Sequence, residues 1–336
     1  GTHTNGAMGI ATSIGGSGTY NLSGTALLSS NIEYVGLNGT GVFMQTGGTN
    51  SITTDLFIGG NSASSGTGTY TISGGTLDVT GSIVNGAGDS TFNNDGGTLN
   101  VGGTIDVDTY GLGITSGSNV NHTTATTPNL TFDNLNVGGA GTGAFTHSDG
   151  STLSLTDLSL GMDSGGSGTY TISNGTLNVS GDIVNGAGTG TLNIDGGSVN
   201  AGTIDVDTLN IGNSAGITGN HALGSGESIS AGSETIGNSG TGVFNQTGGT
   251  NTITNNLSMG VNADSSGTYT LGGGTLDVGG NIVNGAGTST LNIDGSTLIV
   301  GGGSIGVDNF NVGNGVGSSS SHTLGSGESI SAGNEN

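Results

Sequence analysis

The 336-residue sequence contains no lysine, arginine, cysteine or tryptophan, and a single proline. Without side-chain cations nothing neutralises a phosphate backbone, which excludes nucleic acid as a partner. The same lack removes any attraction to an anionic membrane surface. No apolar run approaches the ~18 residues of a transmembrane helix, so no membrane insertion is expected. The absence of cysteine rules out disulfides and thiolate metal sites. The absence of lysine rules out Lys–Asn isopeptide cross-links, and without either cation trypsin has no cleavage site. Both properties suit exposure outside a cell. Apolar residues make up 30% of the chain and aromatics 4%, thin for a globular core, and 23 acidic groups give a formal charge of −23. A chain this polar with one sign of charge ordinarily stays disordered. Here only 7% of residues are charged, and the apolar ones are patterned.

Glycine is abundant, at 76 residues, and the sequence repeats itself. Residues 68–84 (GTYTISGGTLDVTGSIV), 168–184 (GTYTISNGTLNVSGDIV) and 267–283 (GTYTLGGGTLDVGGNIV) are near copies, which makes Tyr70, Tyr170 and Tyr269 equivalent. NGAG follows at Asn85, Asn185 and Asn284, then DGGTLNV, DGGSVNA and DGSTLIV from Asp95, Asp195 and Asp294. LGSGESISAG starts at both Leu223 and Leu324, and residues 33–50 match 234–251. These copies define three super-repeats of roughly 100 residues. They span 33–133, 134–233 and 234–336, after a partial repeat at 1–32.

A shorter beat runs inside each super-repeat. An aromatic or leucine two residues after a glycine or serine, as in Gly-Thr-Tyr, recurs at Phe43, Tyr70 and Phe92, at Phe145, Tyr170 and Leu192, and at Phe244, Tyr269 and Leu291, in steps of 22 to 27 residues. TYTIS and TLDVT alternate apolar and polar residues as half-buried strands do. Gly-Gly, Asn-Gly and Asp-Gly pairs between them supply corners at positive φ. No stretch has a helical period. The pattern predicts an all-β fold, a right-handed parallel β-solenoid (β-helix) of about 13 coils of about 22–27 residues, running through 1–336 as one domain. With coils ~4.8 Å apart it would be a rod about 60 Å long, and repeat-equivalent residues would lie four coils, about 20 Å, apart. Antiparallel sandwich domains, whose hairpins use the same turn residues, are the competing architecture.

From Thr241 to Val278, TGVFNQTGGTNTITNNLSMGVNADSSGTYTLGGGTLDV resembles the Gly/Thr/Asn-rich β-strand repeats of bacterial autotransporter-associated proteins and of large PEP-CTERM-type exported proteins. The resemblance covers most of the chain as a repeat type. It implies a secreted β-helical protein of the bacterial cell surface or matrix, and it carries no catalytic residues.

Eight recurrent aspartates are the candidate Ca²⁺ ligands. Asp106, Asp108, Asp205 and Asp207 stand in two IDVD segments, Asp308 in SIGVD, and Asp95, Asp195 and Asp294 before glycine corners. Carboxylates beside turn carbonyls suit a hard cation, whereas the GGxGxDxUx calcium nonapeptide does not occur. Diffuse screening by counter-ions is the alternative. Strand alternation places Asp106 and Asp108 outward and Ile105 and Val107 inward. Paired carboxylates also perform glycoside hydrolysis, but the third copy has Gly306 in place of one Asp. The Arg or Lys base that many β-helical lyases use is missing. No enzyme is expected, no cofactor is required, and Ca²⁺ is the one candidate. His122, His221 and His322 are equivalent but too far apart for a shared metal, and they are expected at corners. The aromatics are expected as an internal ladder.

Solenoid ends expose strand edges that pair with further strands unless capped, and neither terminus reads as a cap. The expected function is therefore structural. Copies would stack head to tail into extracellular filaments or matrix, the chain being its own partner. An adhesin passenger that binds glycans or surfaces is the alternative, and a β-helical polysaccharide hydrolase is the third reading.

Overall fold

In the computed structural model the described residues are 1–124, 129–315, 320–323 and 325–336. Leu324, where the second LGSGESISAG copy starts, lies outside them. The chain is an all-β solenoid of stacked parallel coils, about 14 turns, with no helix among the described residues. The only antiparallel pairing described is the short one between Gly60–Asn61 and Ser64–Ser65. That disposes of the sandwich alternative. Contacts group the chain into two compact units. One comprises Gly1–Thr146, Leu153–Thr169 and Gly186–Gly188, and the other His147–Thr152, Tyr170–Asn185 and Thr189–Asn336.

In the first unit each coil contributes to three ladders. Tyr20, Phe43, Tyr70, Phe92 and Tyr110 are successive partners on one side. Leu28, Asn50, Leu77 and Leu99 form the second ladder. Glu33, Leu56, Ile83, Ile105 and Leu130 form the third. The second unit repeats the plan with His221, Phe244, Tyr269, Leu291 and Phe310, then Ile229, Asn251, Leu276 and Leu298, then Glu234, Leu257, Ile282 and Ile305.

The alternation read from the sequence turns every second residue inward. Phe43, Tyr70, Phe92 and Tyr110 are fully buried. Their rings lie 4.5, 5.6 and 5.9 Å apart in near-parallel stacks, close to the ~4.8 Å strand separation. A core one or two side chains wide needs few apolar residues, which is how 30% apolar content suffices. Corners need glycine where the backbone folds back on the next coil. Gly36 and Gly237 have φ of 76° and 72°. A Cβ there would collide with the carbonyls of Thr67 and Ser266.

Two expectations are corrected. Coil length is not confined to 22–27 residues. Phe92 pairs with Tyr110, Leu192 with Leu209 and Leu291 with Phe310, steps of 18, 17 and 19. These short coils lack the NGAG corner, and the chain passes through Asp108, Asp207 or Asp308 from one side to the next. Nor are super-repeats separated by whole coils. From Phe43 four steps, through Tyr70, Phe92 and Tyr110, lead to Leu135, whereas its sequence equivalent Phe145 pairs with His122. A super-repeat thus advances by four coils and one further side. In the second unit Leu192 stands in line with Leu209 and Glu234, while its equivalent Leu291 stands in line with Tyr269.

Candidate functional site

The structure does not gather the eight aspartates. Among the described residues no group of three or more His, Asp or Glu is arranged to hold a metal ion. Six of the eight carboxylates accept hydrogen bonds from a neighbouring coil instead. Asp108 Oδ1 accepts Asn85 Nδ2 at 2.7 Å and Oδ2 accepts the Ser90 N–H at 2.7 Å, while the Asp108 N–H donates to Ser90 Oγ at 2.8 Å. Asp207 accepts Asn185 Nδ2 at 2.8 Å and the Gly190 N–H at 2.9 Å. Asp308 accepts Asn284 Nδ2 at 3.0 Å and the Ser289 N–H at 2.8 Å. The missing NGAG corner of each short coil is thus replaced by a carboxylate that ties the shortcut to the corner beneath.

Asp95, Asp195 and Asp294 hold the loop one coil on. They accept the N–H groups of Ile114 at 2.5 Å, Asn213 at 2.6 Å and Gly315 at 2.8 Å. Asp106 and Asp205 point outward as expected, over buried Ile105, Val107, Ile204 and Val206. Burial raises the Asp106 carboxyl, and the charges of Asp108 and Asp133 raise it further.

His122 and His221 are not at corners. They lie on the strands Asn119–Thr123 and Thr218–Leu223, each 7% exposed, in register with Phe145 and Phe244. NVNHT and TGNHAL alternate like GTYTI, with imidazole in the aromatic slot, a signal the corner reading overlooked. The His122 ring stacks on Phe145 at 5.1 Å, and its Nδ1 lies 3.1 Å from the Tyr110 hydroxyl. Burial pushes both imidazoles down to about 4, so both are neutral at pH 7.

Sequence reasoning also missed two buried carboxyls. Glu33 and Glu234, noted only as equivalent, are each 1% exposed inside the coils. Asn50 Nδ2 donates to Glu33 Oε2 at 2.9 Å, Ser30 Oγ to Oε1 at 2.9 Å, and the Tyr70 hydroxyl to Gln45 Oε1 at 2.6 Å. Asn251, Glu234, Tyr269 and Gln246 repeat the cluster, with Asn251 Nδ2 donating to Glu234 Oε2 at 3.1 Å and the Tyr269 hydroxyl to Gln246 Oε1 at 2.5 Å. No Lys or Arg exists to balance either charge. Burial raises both carboxyls, Glu234 to about 8 against the lowering effect of Asn251, so Glu234 is protonated at pH 7.

In the middle super-repeat Leu135, Leu153 and His147 occupy the places of Glu33, Asn50 and Gln45. A half-satisfied buried network costs more than an apolar one, so the set changes together. His147 meets the Tyr170 hydroxyl with Nδ1 at 3.1 Å. The inward register of EYVG and ETIG, together with this joint replacement, was the available signal.

No known family, curated protein or solved structure matches the chain.

Proposed function

We propose that the protein is an extracellular structural element of a bacterial surface or matrix, extended by stacking coil upon coil between copies of itself. The observation that carries this reading is like-on-like register. Thr40 lies on Thr67, Gly41 on Gly68, Phe43 on Tyr70 and Thr49 on Thr76. Asparagines also stack. Asn200 donates to Asn178 at 2.8 Å, Asn311 to Asn292 at 2.8 Å and Asn334 to Asn309 at 2.9 Å. A coil therefore offers its neighbour the same backbone edge and side chains that it receives, and a coil of another copy meets the same terms. Stacking of this heterologous kind does not close on itself and gives open fibres. The resemblance to Gly/Thr/Asn repeats of exported bacterial proteins supports the location. Calcium, in this reading, acts between filaments, as a divalent counter-ion for a chain of 23 carboxyl side chains and no Lys or Arg.

Electron microscopy of the purified protein, with Ca²⁺ and with EDTA, tests the proposal. Unbranched filaments with a ~4.8 Å axial layer spacing are expected, bundled when Ca²⁺ is present. Particles that stay single at every protein concentration would overturn it.

A further inference from the structure

The short coil that shifts the phase of the solenoid also breaks a ladder. The strand Thr98–Val101 pairs with Thr67–Val79 of the preceding coil. The strand that follows it on that side, Asn119–Thr123, is in register with Thr142–His147. The two share no ladder, and between them lies a cleft of about 650 Å³. Leu99 and Val101 form an apolar wall, with Asn94, Asn100, Asn121 and His122 around it. Asp78 is the one carboxylate in the lining.

The second unit carries the same cleft at the same point of its repeat. It lies between the start of Ser198–Ile211 and the strand Thr218–Leu223, holds about 220 Å³, and is lined by Val199, Asn200, Asn220 and His221. These are the counterparts, residue for residue, of Leu99, Asn100, Asn121 and His122. His221 is 93% buried by its 7% exposure, yet its Nε2 has no hydrogen-bond partner. That nitrogen is a buried polar atom with an unmet hydrogen bond in a residue that lines the cleft.

We propose that these clefts bind a neutral oligosaccharide. Amide side chains from both strands line the gap and offer donors and acceptors together, the pairing that vicinal hydroxyls require. The apolar wall takes the C–H face of a sugar ring. The first cleft falls within the ~300–1,000 Å³ usual for small-ligand sites. Anionic sugars are disfavoured, because Asp78 and a net charge of −23 meet no compensating cation. An extended peptide lying along Thr98–Val101 and Asn119–Thr123 is the rival occupant. It would be recognised through the backbone and would not need Asn100/Asn200 and Asn121/Asn220 to recur in both units. The proposal stands whether or not the chains assemble.

The test is calorimetric titration of the full chain with linear hexamers of α-1,4-glucose, β-1,4-glucose and β-1,4-mannose, with oligogalacturonate as the anionic control. One neutral hexamer is expected to bind and to shift the His122 imidazole resonances. The double variant Asn100→Leu/Asn121→Leu alters only exposed side chains of the first cleft. It is expected to weaken binding there by at least about tenfold, as loss of polar recognition groups does. Absence of binding by every neutral hexamer at millimolar concentration would overturn the proposal. So would equal binding by the variant or by oligogalacturonate, or binding of a neutral extended pentapeptide in place of the sugars.

Discussion

Glu234 shows what a buried acid requires when its chain has no basic side chain. Its Oε1 and the Oδ1 of Asn251 are both buried without a hydrogen-bond partner. A proton on the carboxyl supplies the donor that the two oxygens lack, and Asn251 Nδ2 already bonds the other carboxyl oxygen. Stability should therefore depend on pH with a definite sign. A carboxyl raised by folding binds more protons folded than unfolded, so its stabilising effect is complete below the unfolded value of 4.5 and is lost as pH climbs through about 8. His122 and His221, lowered by burial from 6.5 to about 4, act oppositely and cost stability as pH falls through that window. Between 4.5 and 6.5 the two effects oppose each other, and above 6.5 the histidine effect has ended while that of Glu234 continues. The melting temperature should fall from pH 6.5 to about 8, each pH unit of the Glu234 window being worth ~1.4 kcal/mol. The variant Glu33→Gln/Glu234→Gln keeps the shape and supplies a permanent amide donor, so its melting temperature should be flat over that range in differential scanning calorimetry. An equal slope in wild type and variant would mean that these carboxyls are not the titrating groups.

At the scale of the element, the corners distinguish aspartates that hold the coil from those that only face water. Asp207 accepts two donors from the corner below, whereas exposed Asp205, two residues earlier on the same strand, lies on the solvent face. Replacing Asp207 with Ala should cost ~1–3 kcal/mol, because the Gly190 N–H and the Asn185 amide lose their acceptor. Asp205→Ala should stay within about 0.5 kcal/mol. Urea midpoints of the two variants, measured side by side, check the contrast, and equal effects would remove the anchoring role.

The sequence made the strands legible because inward alternation and glycine corners are local signals, as at Thr69, Tyr70 and Thr71. It made the parallel coil legible because Tyr70, Tyr170 and Tyr269 repeat with their whole surroundings. The phase shift was hidden. A four-residue corner replaced by one carboxylate changes which side the next strand occupies, while the repeat in the sequence stays unbroken. The cleft was hidden for the same reason, since only the offset separates Asn100 from Asn121 without a ladder. The buried glutamates were hidden by their type, because a charged residue at an inward position is normally read as a register error.

Across the whole molecule the charge has one sign. Salt usually weakens attractions and repulsions together, and its net effect on stability is small and uncertain in direction. Here the attractive part is nearly absent. The single side-chain ion pair among the described residues joins His147 Nε2 and Asp149 at 3.4 Å, and burial lowers that histidine below its ordinary value. At neutral pH salt therefore screens repulsion between carboxylates and little else. The range of that repulsion shrinks from ~30 Å at about 0.01 M to ~10 Å at about 0.1 M. Raising NaCl from about 0.01 M to about 0.3 M at pH 7 should lift the melting temperature monotonically, by on the order of 5 °C. Ca²⁺ at matched ionic strength should lift it further, because divalent ions concentrate near a dense array of like charges. Filaments should follow the same order and remain apart at low salt. A melting temperature that stays flat or falls with NaCl would show that the carboxylates are too widely spaced to repel, and would remove the electrostatic basis for ion-induced bundling.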